Sequence, residues 1–162
     1  MGQGGSTYTP GPYRPATAAG AFMMMVVFSE IPEKHDTLRP SQSWVEQREL
    51  VVGGYTMTAA CKIHRDFSDQ VSLTFGVALS GGQWDDHVEW PFSKYVTLTV
   101  PNLEDYQKDI KLPITFQADD AVQRPGKRQS NPARWSTLVY WNEVSLNGFI
   151  HNKTLHVNIE LV

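Results

Sequence analysis

Four runs in this chain alternate apolar and polar residues with a period of two, and that pattern leaves little choice of fold. In Tyr55–His64, residues Tyr55, Met57, Ala59, Cys61 and Ile63 fall on one face, with Thr56, Thr58, Ala60, Lys62 and His64 on the other. Val71, Leu73, Phe75, Val77 and Leu79 repeat the pattern, as do Val96, Leu98 and Val100. Leu155, Val157, Ile159 and Leu161 close the chain with His156, Asn158 and Glu160 opposite. One apolar face per strand is the mark of antiparallel sheets that cover a core on one side. Further strands are expected at Ala21–Phe28, around Ser43–Val51 and at Thr137–Val144, with a short one at Ile114–Phe116. Turn signals at Gly53-Gly54, Asp66–Asp69, Gly81-Gly82, Pro101-Asn102, Asn147-Gly148 and Asn152-Lys153 separate them. No long stretch carries a helical period. Seven or eight short strands so spaced predict an all-β sandwich or barrel.

Size and charge narrow the function classes. A chain of 162 residues with 41% hydrophobic content can build one domain with its own core. Residues 1–19 are rich in Gly, Pro, Ser, Thr and Ala without an apolar period, and are expected to be a flexible tail or linker remnant. The domain is expected over 20–162. Gly2 with Ser6 formally matches an acylation pattern, but no polybasic second signal follows, so a linker is the simpler reading. A net charge of −3 argues against general nucleic-acid binding. Arg124, Lys127, Arg128 and Arg134 do cluster, and a solvated loop explains them more simply than a phosphate site. No apolar run is long enough to span a bilayer, so a membrane is reached only through a receptor or a lipid on Gly2.

Nothing in the sequence selects an enzyme. Cys61 is the only cysteine, which excludes an intrachain disulfide and a multi-thiolate zinc site. It falls on the apolar face of its strand, as a small buried hydrophobe rather than a nucleophile. His35, His64, His87, His151 and His156 form no metal-ligand spacing, and Asp85-Asp86-His87 after the Gly-Gly turn reads as a loop. No nucleophile elbow or phosphate-binding glycine loop occurs. No cofactor, metal or catalytic residue is expected.

Several motifs occur in a telling order. They are Gly20-Ala21-Phe22, Gly54-Tyr55-Thr56-Met57, Val71–Phe75, Trp90-Pro91-Phe92 with Val96-Thr97-Leu98, Gln123-Arg124-Pro125, and Gly148–Val157. In that order they resemble the meprin-and-TRAF-homology (MATH) domain, and within it the TRAF-C type, over residues 20 to 162. The resemblance implies an eight-stranded antiparallel β-sandwich. It also implies a protein-interaction module in which a short extended peptide, from a receptor tail or signalling partner, adds a strand at a sheet edge.

The resemblance also places a groove. The Arg, Tyr and Asp that face the peptide in TRAF-type members correspond to Ala60, Lys62 and Asp66, with His64 on the same face between them. The family's serine run corresponds to Ala118-Asp119-Asp120. Its small polar residue on the next groove strand falls near Ala133, and Trp135 stands where other MATH members carry an aromatic. The mode of binding carries over and the specificity does not. Two carboxylates in place of hydroxyls lead to the expectation of a basic or polar peptide residue opposite Asp119 and Asp120.

A cytoplasmic adaptor is the leading reading. No heptad pattern precedes Ala21, so a homo-oligomer, as a trimer, is expected only where the full-length protein supplies a coiled coil. The alternative is an extracellular or membrane-associated MATH interaction or oligomerisation domain with a diverged groove. The sequon Asn152-Lys153-Thr154 is the one feature leaning that way.

Overall fold

The computed structural model describes residues 11–116 and 119–162, and its strands fall where the four alternating runs put them. Strands β1 (Phe22–Phe28), β2 (Ser43–Val52), β3 (Tyr55–Arg65), β4 (Val71–Ser80), β5 (Val96–Val100) and β6 (Ile110–Ile114) come first. The two-residue strands β7 (Arg134–Trp135), β8 (Val139–Tyr140) and β9 (Ile150–His151) follow, and β10 (Thr154–Leu161) closes the chain. Two short helices, α1 (Ile31–Thr37) and α2 (Trp141–Ser145), and two 3-10 turns, Asp85–His87 and Tyr106–Lys108, complete the described residues.

The strands form two antiparallel sheets, so the all-β sandwich holds, with ten strands among the described residues rather than eight. In the first sheet β10 pairs with β1 along Leu155–Leu161. Its other side takes β9 and β5, and β6 lies beyond β5. In the second sheet β2, β3 and β4 lie side by side. The outer edge of β4 is covered by the broken strand β7–β8. The expected strand Thr137–Val144 shrinks to Val139–Tyr140, because Trp141 onward turns into α2 and the Trp141 indole stacks on His35 at 4.2 Å. The expected strand at Ile114–Phe116 lies earlier, at Ile110–Ile114.

The apolar faces meet in one core. Phe28, Leu98, Leu155, Val157, Ile159 and Leu161 come from the first sheet, against Met57, Ile63, Leu73, Phe75, Val77 and Leu79 from the second. Cys61 is buried among them, and that burial pushes its thiol up to about 12. Trp90 and Phe92 set their rings edge-on against Tyr55 and close one end. Gly53 and Gly54, at φ +59° and +85°, give β2–β3 the left-handed two-residue turn a tight hairpin needs.

The outer face of the first sheet is covered in part. Asn158 and Glu160 point away from the core yet are buried. Residues 11–17, within the stretch expected as tail, lie over them. The Asn158 amide donates to the Pro12 carbonyl at 3.0 Å, and the backbone N–H and hydroxyl of Thr17 donate to Glu160 at 2.8 and 2.6 Å. Arg14 pairs with Asp109 at 2.7 Å. Gly2 and the rest of residues 1–10 lie outside the described residues.

Phe75 is 1% exposed at the centre of this core. Phe75→Ala is expected to cost about 3–5 kcal/mol, read from urea denaturation. His156, on the outer face of β10, has its imidazole held below the ordinary value, chiefly by burial and further by His151. The folded chain then binds that proton less readily than the unfolded one. The stability it contributes is complete above about pH 6.5 and is lost as the pH falls below that. His156→Gln is expected to flatten the fall in melting temperature of the wild type between about pH 7 and 5.

Candidate functional site

The outer face of the second sheet carries the expected groove residues in ordered rows. Because β3 and β4 pair in unbroken register, Ala60 stands opposite Gly76, Lys62 opposite Thr74, and His64 opposite Ser72. The register continues outward, with Gly76 opposite Trp135 and Ser72 opposite Tyr140. The missing side chain at Gly76 decides the shape of the surface. A Cβ there would stand 2.8 Å from the Trp135 ring, so only glycine lets the indole lie across the sheet. Ala60, 6% exposed, continues this low floor. Trp135 itself is 45% exposed.

The edge beside this floor is irregular. Ser136 holds on to Phe75 twice, its backbone N–H donating to the Phe75 carbonyl at 2.8 Å and its hydroxyl accepting from the Phe75 N–H at 3.0 Å. Thr137 and Leu138 then stand where β4 has only Thr74, a bulge that splits the strand into β7 and β8. Among the described residues no other backbone segment bonds to the outer side of Arg134–Tyr140. The arrangement can therefore take an extended chain along the edge, with its side chains alternately over the floor and away from it.

The structure sorts the remaining expected residues. Ala60, Lys62, His64 and Trp135 share one face. His64 accepts or donates a 2.7 Å hydrogen bond with the Ser43 hydroxyl. Asp66 lies in the turn beyond β3, where one carboxylate oxygen accepts from the Ser68 hydroxyl and from the backbone N–H groups of Ser68 and Gln70. Those bonds, the Ser68 hydroxyl first, hold its carboxyl below the usual range. Asp119 accepts from the Ala121 N–H at 2.8 Å and forms an ion pair with Arg134. Asp120 is exposed and Ala133 leads into β7. Ala118 lies outside the described residues.

Gly76 and Arg134 are the residues sequence reasoning missed. An isolated glycine inside the run Val71–Leu79 was a readable signal of close approach. Arg134 offered none, because it was grouped with Arg124, Lys127 and Arg128, and the fold takes it away from them to Asp119. Among the described residues no group of three or more His, Cys, Asp or Glu stands close enough to hold a metal, and no helix is long and apolar enough to cross a membrane.

Comparison with known proteins agrees with the fold. The family model described as the TRAF/meprin MATH domain matches residues 49–158, more than half of the chain. Among solved structures, the chain is similar to Notothenia coriiceps TRAF5, with a TM-score of 0.62 and 17% identity, over 86% of this chain and 72% of that one. At that identity the likeness is one of fold. No curated protein matches the sequence.

Gly76→Ala tests the floor. The new methyl group is expected to displace the indole of Trp135, moving its N–H resonance in a ¹H–¹⁵N spectrum. Because the ring is half exposed it slides aside, and stability is expected to fall by less than about 1 kcal/mol.

Proposed function

The chain belongs to the TRAF/meprin MATH domain family, and from that premise we propose that it is a non-catalytic interaction module whose β7–β8 edge binds short extended peptides. The observation that carries the proposal is the half-exposed Trp135, laid over Gly76 beside Ala60 at an open sheet edge. A large aromatic on a low shelf supplies contact area at small entropic cost, the usual character of a binding anchor. Main-chain hydrogen bonds along the edge add affinity without sequence demand, and the shelf selects an apolar peptide side chain to lie on the indole.

Charge around the shelf sets the second preference. Asp119 is spent on Arg134 and the Ala121 N–H, which leaves Asp120 as the carboxylate available to a basic or polar peptide residue. Lys62, one row along from Ala60, has no ion-pair partner among the described residues and suits an acidic or carbonyl-rich position. Asp66 is assigned to its turn, and His64 with Ala133 to the rim. Single sites of this kind are weak, so the module gains strength when several copies are joined. A cytoplasmic adaptor, reaching receptor tails or signalling partners, is the setting proposed for it.

The test is a screen of short extended peptides against the protein, as a monomer and as an artificial trimer. A bound motif is expected whose affinity falls about tenfold or more in Trp135→Ala and changes its charge preference in Lys62→Glu. If neither form binds any peptide, or if Trp135→Ala binds as well as wild type, the proposal fails.

A further inference from the structure

Each sheet of the sandwich ends in two outer edges, and the four edges are not alike. An unpaired strand edge offers its backbone N–H and C=O groups to any other chain, and folded proteins blunt such edges with charge, proline or a bulge. At one edge of the second sheet, β2 carries Glu46, Arg48 and Glu49. Glu46 forms ion pairs with Arg48 and with Lys34. At its other edge β7–β8 carries Arg134 and is broken by the bulge at Thr137 and Leu138. In the first sheet β6 carries an exposed Lys111 and, two residues on, Pro113.

The remaining edge, β1, has none of these protections. Its seven residues are three methionines and two valines between two phenylalanines, without a charge, a proline or a glycine. They pair with β10 in unbroken register from Phe22 to Phe28, so no bulge turns the strand away. Among the described residues no backbone segment bonds to its outer side.

Side-chain exposure marks the same edge. Phe22 and Met24 stand opposite Leu161 and Ile159, on the face turned to the core. Those partners on β10 are fully buried, yet Phe22 is 47% and Met24 41% exposed. Val27, on the outer face, is also exposed. The core therefore runs out to the surface along β1, as it does where a domain core is divided between two subunits.

We propose that β1 is a homophilic interface: two copies of this chain pair their β1 edges antiparallel about a two-fold axis and join their first sheets into one. A strand that fits beside β1 needs an apolar row next to Phe22 and Met24, and a second apolar row next to Met23, Met25 and Val27 on the other face. Most edge strands are apolar on one face only. β1 itself is apolar on both, so it meets the demand it makes. With no charge in the strand, no register sets like charges against each other or buries an unpaired one. Centred on Met24, the pairing sets Met24 against Met24 of the partner subunit and Phe22 against Val26 of the partner subunit. A two-fold contact of this kind closes on itself and stops at the dimer.

The placement suits the rest of the molecule. β1 packs beside β2, whereas β7–β8 ends the second sheet on the side away from β2. Pairing through β1 therefore leaves both Trp135 edges free. The interface stands without the peptide-edge reading. Where that reading also holds, one dimer presents two grooves to a divalent ligand.

Sedimentation equilibrium of the full chain over a range of concentrations tests the interface. Wild type is expected to pass from monomer to dimer and no further, with a Kd of about 10–100 μM, as suits a small contact. Met24→Lys sets a charge at the axis, against its own copy, and is expected to weaken the dimer about tenfold or more. In the monomer the half-exposed position lets the ammonium reach water, so the variant is expected to stay folded by circular dichroism. Val27→Lys, on the other face of the same strand, gives the same readout if Met24→Lys fails to fold. Val45→Lys, on the β2 edge, is expected to leave the dimer unchanged. The β1 amides are expected to gain protection from hydrogen exchange as concentration rises. A folded wild type that stays monomeric up to about 1 mM overturns the proposal, whether a partner strand or the chain's own first residues cover the edge. Association that continues past the dimer, a dimer that survives the lysine variants of β1, or one lost in Val45→Lys also overturns it.

Discussion

The register between β3 and β4 is the constraint on which the rest depends. Ten consecutive pairs, from Thr56 opposite Ser80 to Arg65 opposite Val71, run without a bulge. A slip of β3 by one residue would turn Met57 and Cys61 to solvent and bring Lys62 and His64 into the core. Burial of those apolar faces therefore fixes the register, and the register fixes the outer face. The same pairing that puts Phe75 in the core puts Gly76 on the outer face of the sheet beside Ala60. The shelf under Trp135 is a consequence of core packing one residue away.

This explains which parts of the molecule were legible in the sequence. A strand of eight to eleven residues repeats its pattern often enough to be read, and β3, β4 and β10 were read correctly with the faces assigned. Two-residue strands repeat nothing. β7 and β8 exist because β4 offers an edge to pair with, and α2 begins at Trp141, whose indole stacks on His35 from a distant part of the chain. Asn158 and Glu160 show a second limit. Period two assigns them to the outer face, and it cannot say that Pro12 and Thr17, some 140 residues earlier, will cover them.

The candidate site divides in the same way. Residue types and their faces were legible, but the use of each lone pair was not. Asp66 and Asp119 read as anionic groups waiting for a ligand, and folding supplies each with local donors, Ser68 and Gln70 for one and Ala121 and Arg134 for the other. Such assignments depend on which loops meet, and loop encounters leave no periodic trace. Asp85 is the reverse case. It reads as a solvated loop residue, and folding buries it with one oxygen unmet.

The contrast between Asp119 and Asp85 bears on how the surface can discriminate. A carboxylate already paired with an arginine presents little net field, so the region around Trp135 favours contact area and main-chain hydrogen bonds, which are tolerant of sequence. Asp85 instead keeps one carboxylate oxygen buried and unbonded at a loop end where Lys127 and Arg128 have no ion-pair partner among the described residues, so that end of the sheet keeps a positive field. The stretch Gln129–Trp135 joins the two environments along one sheet edge.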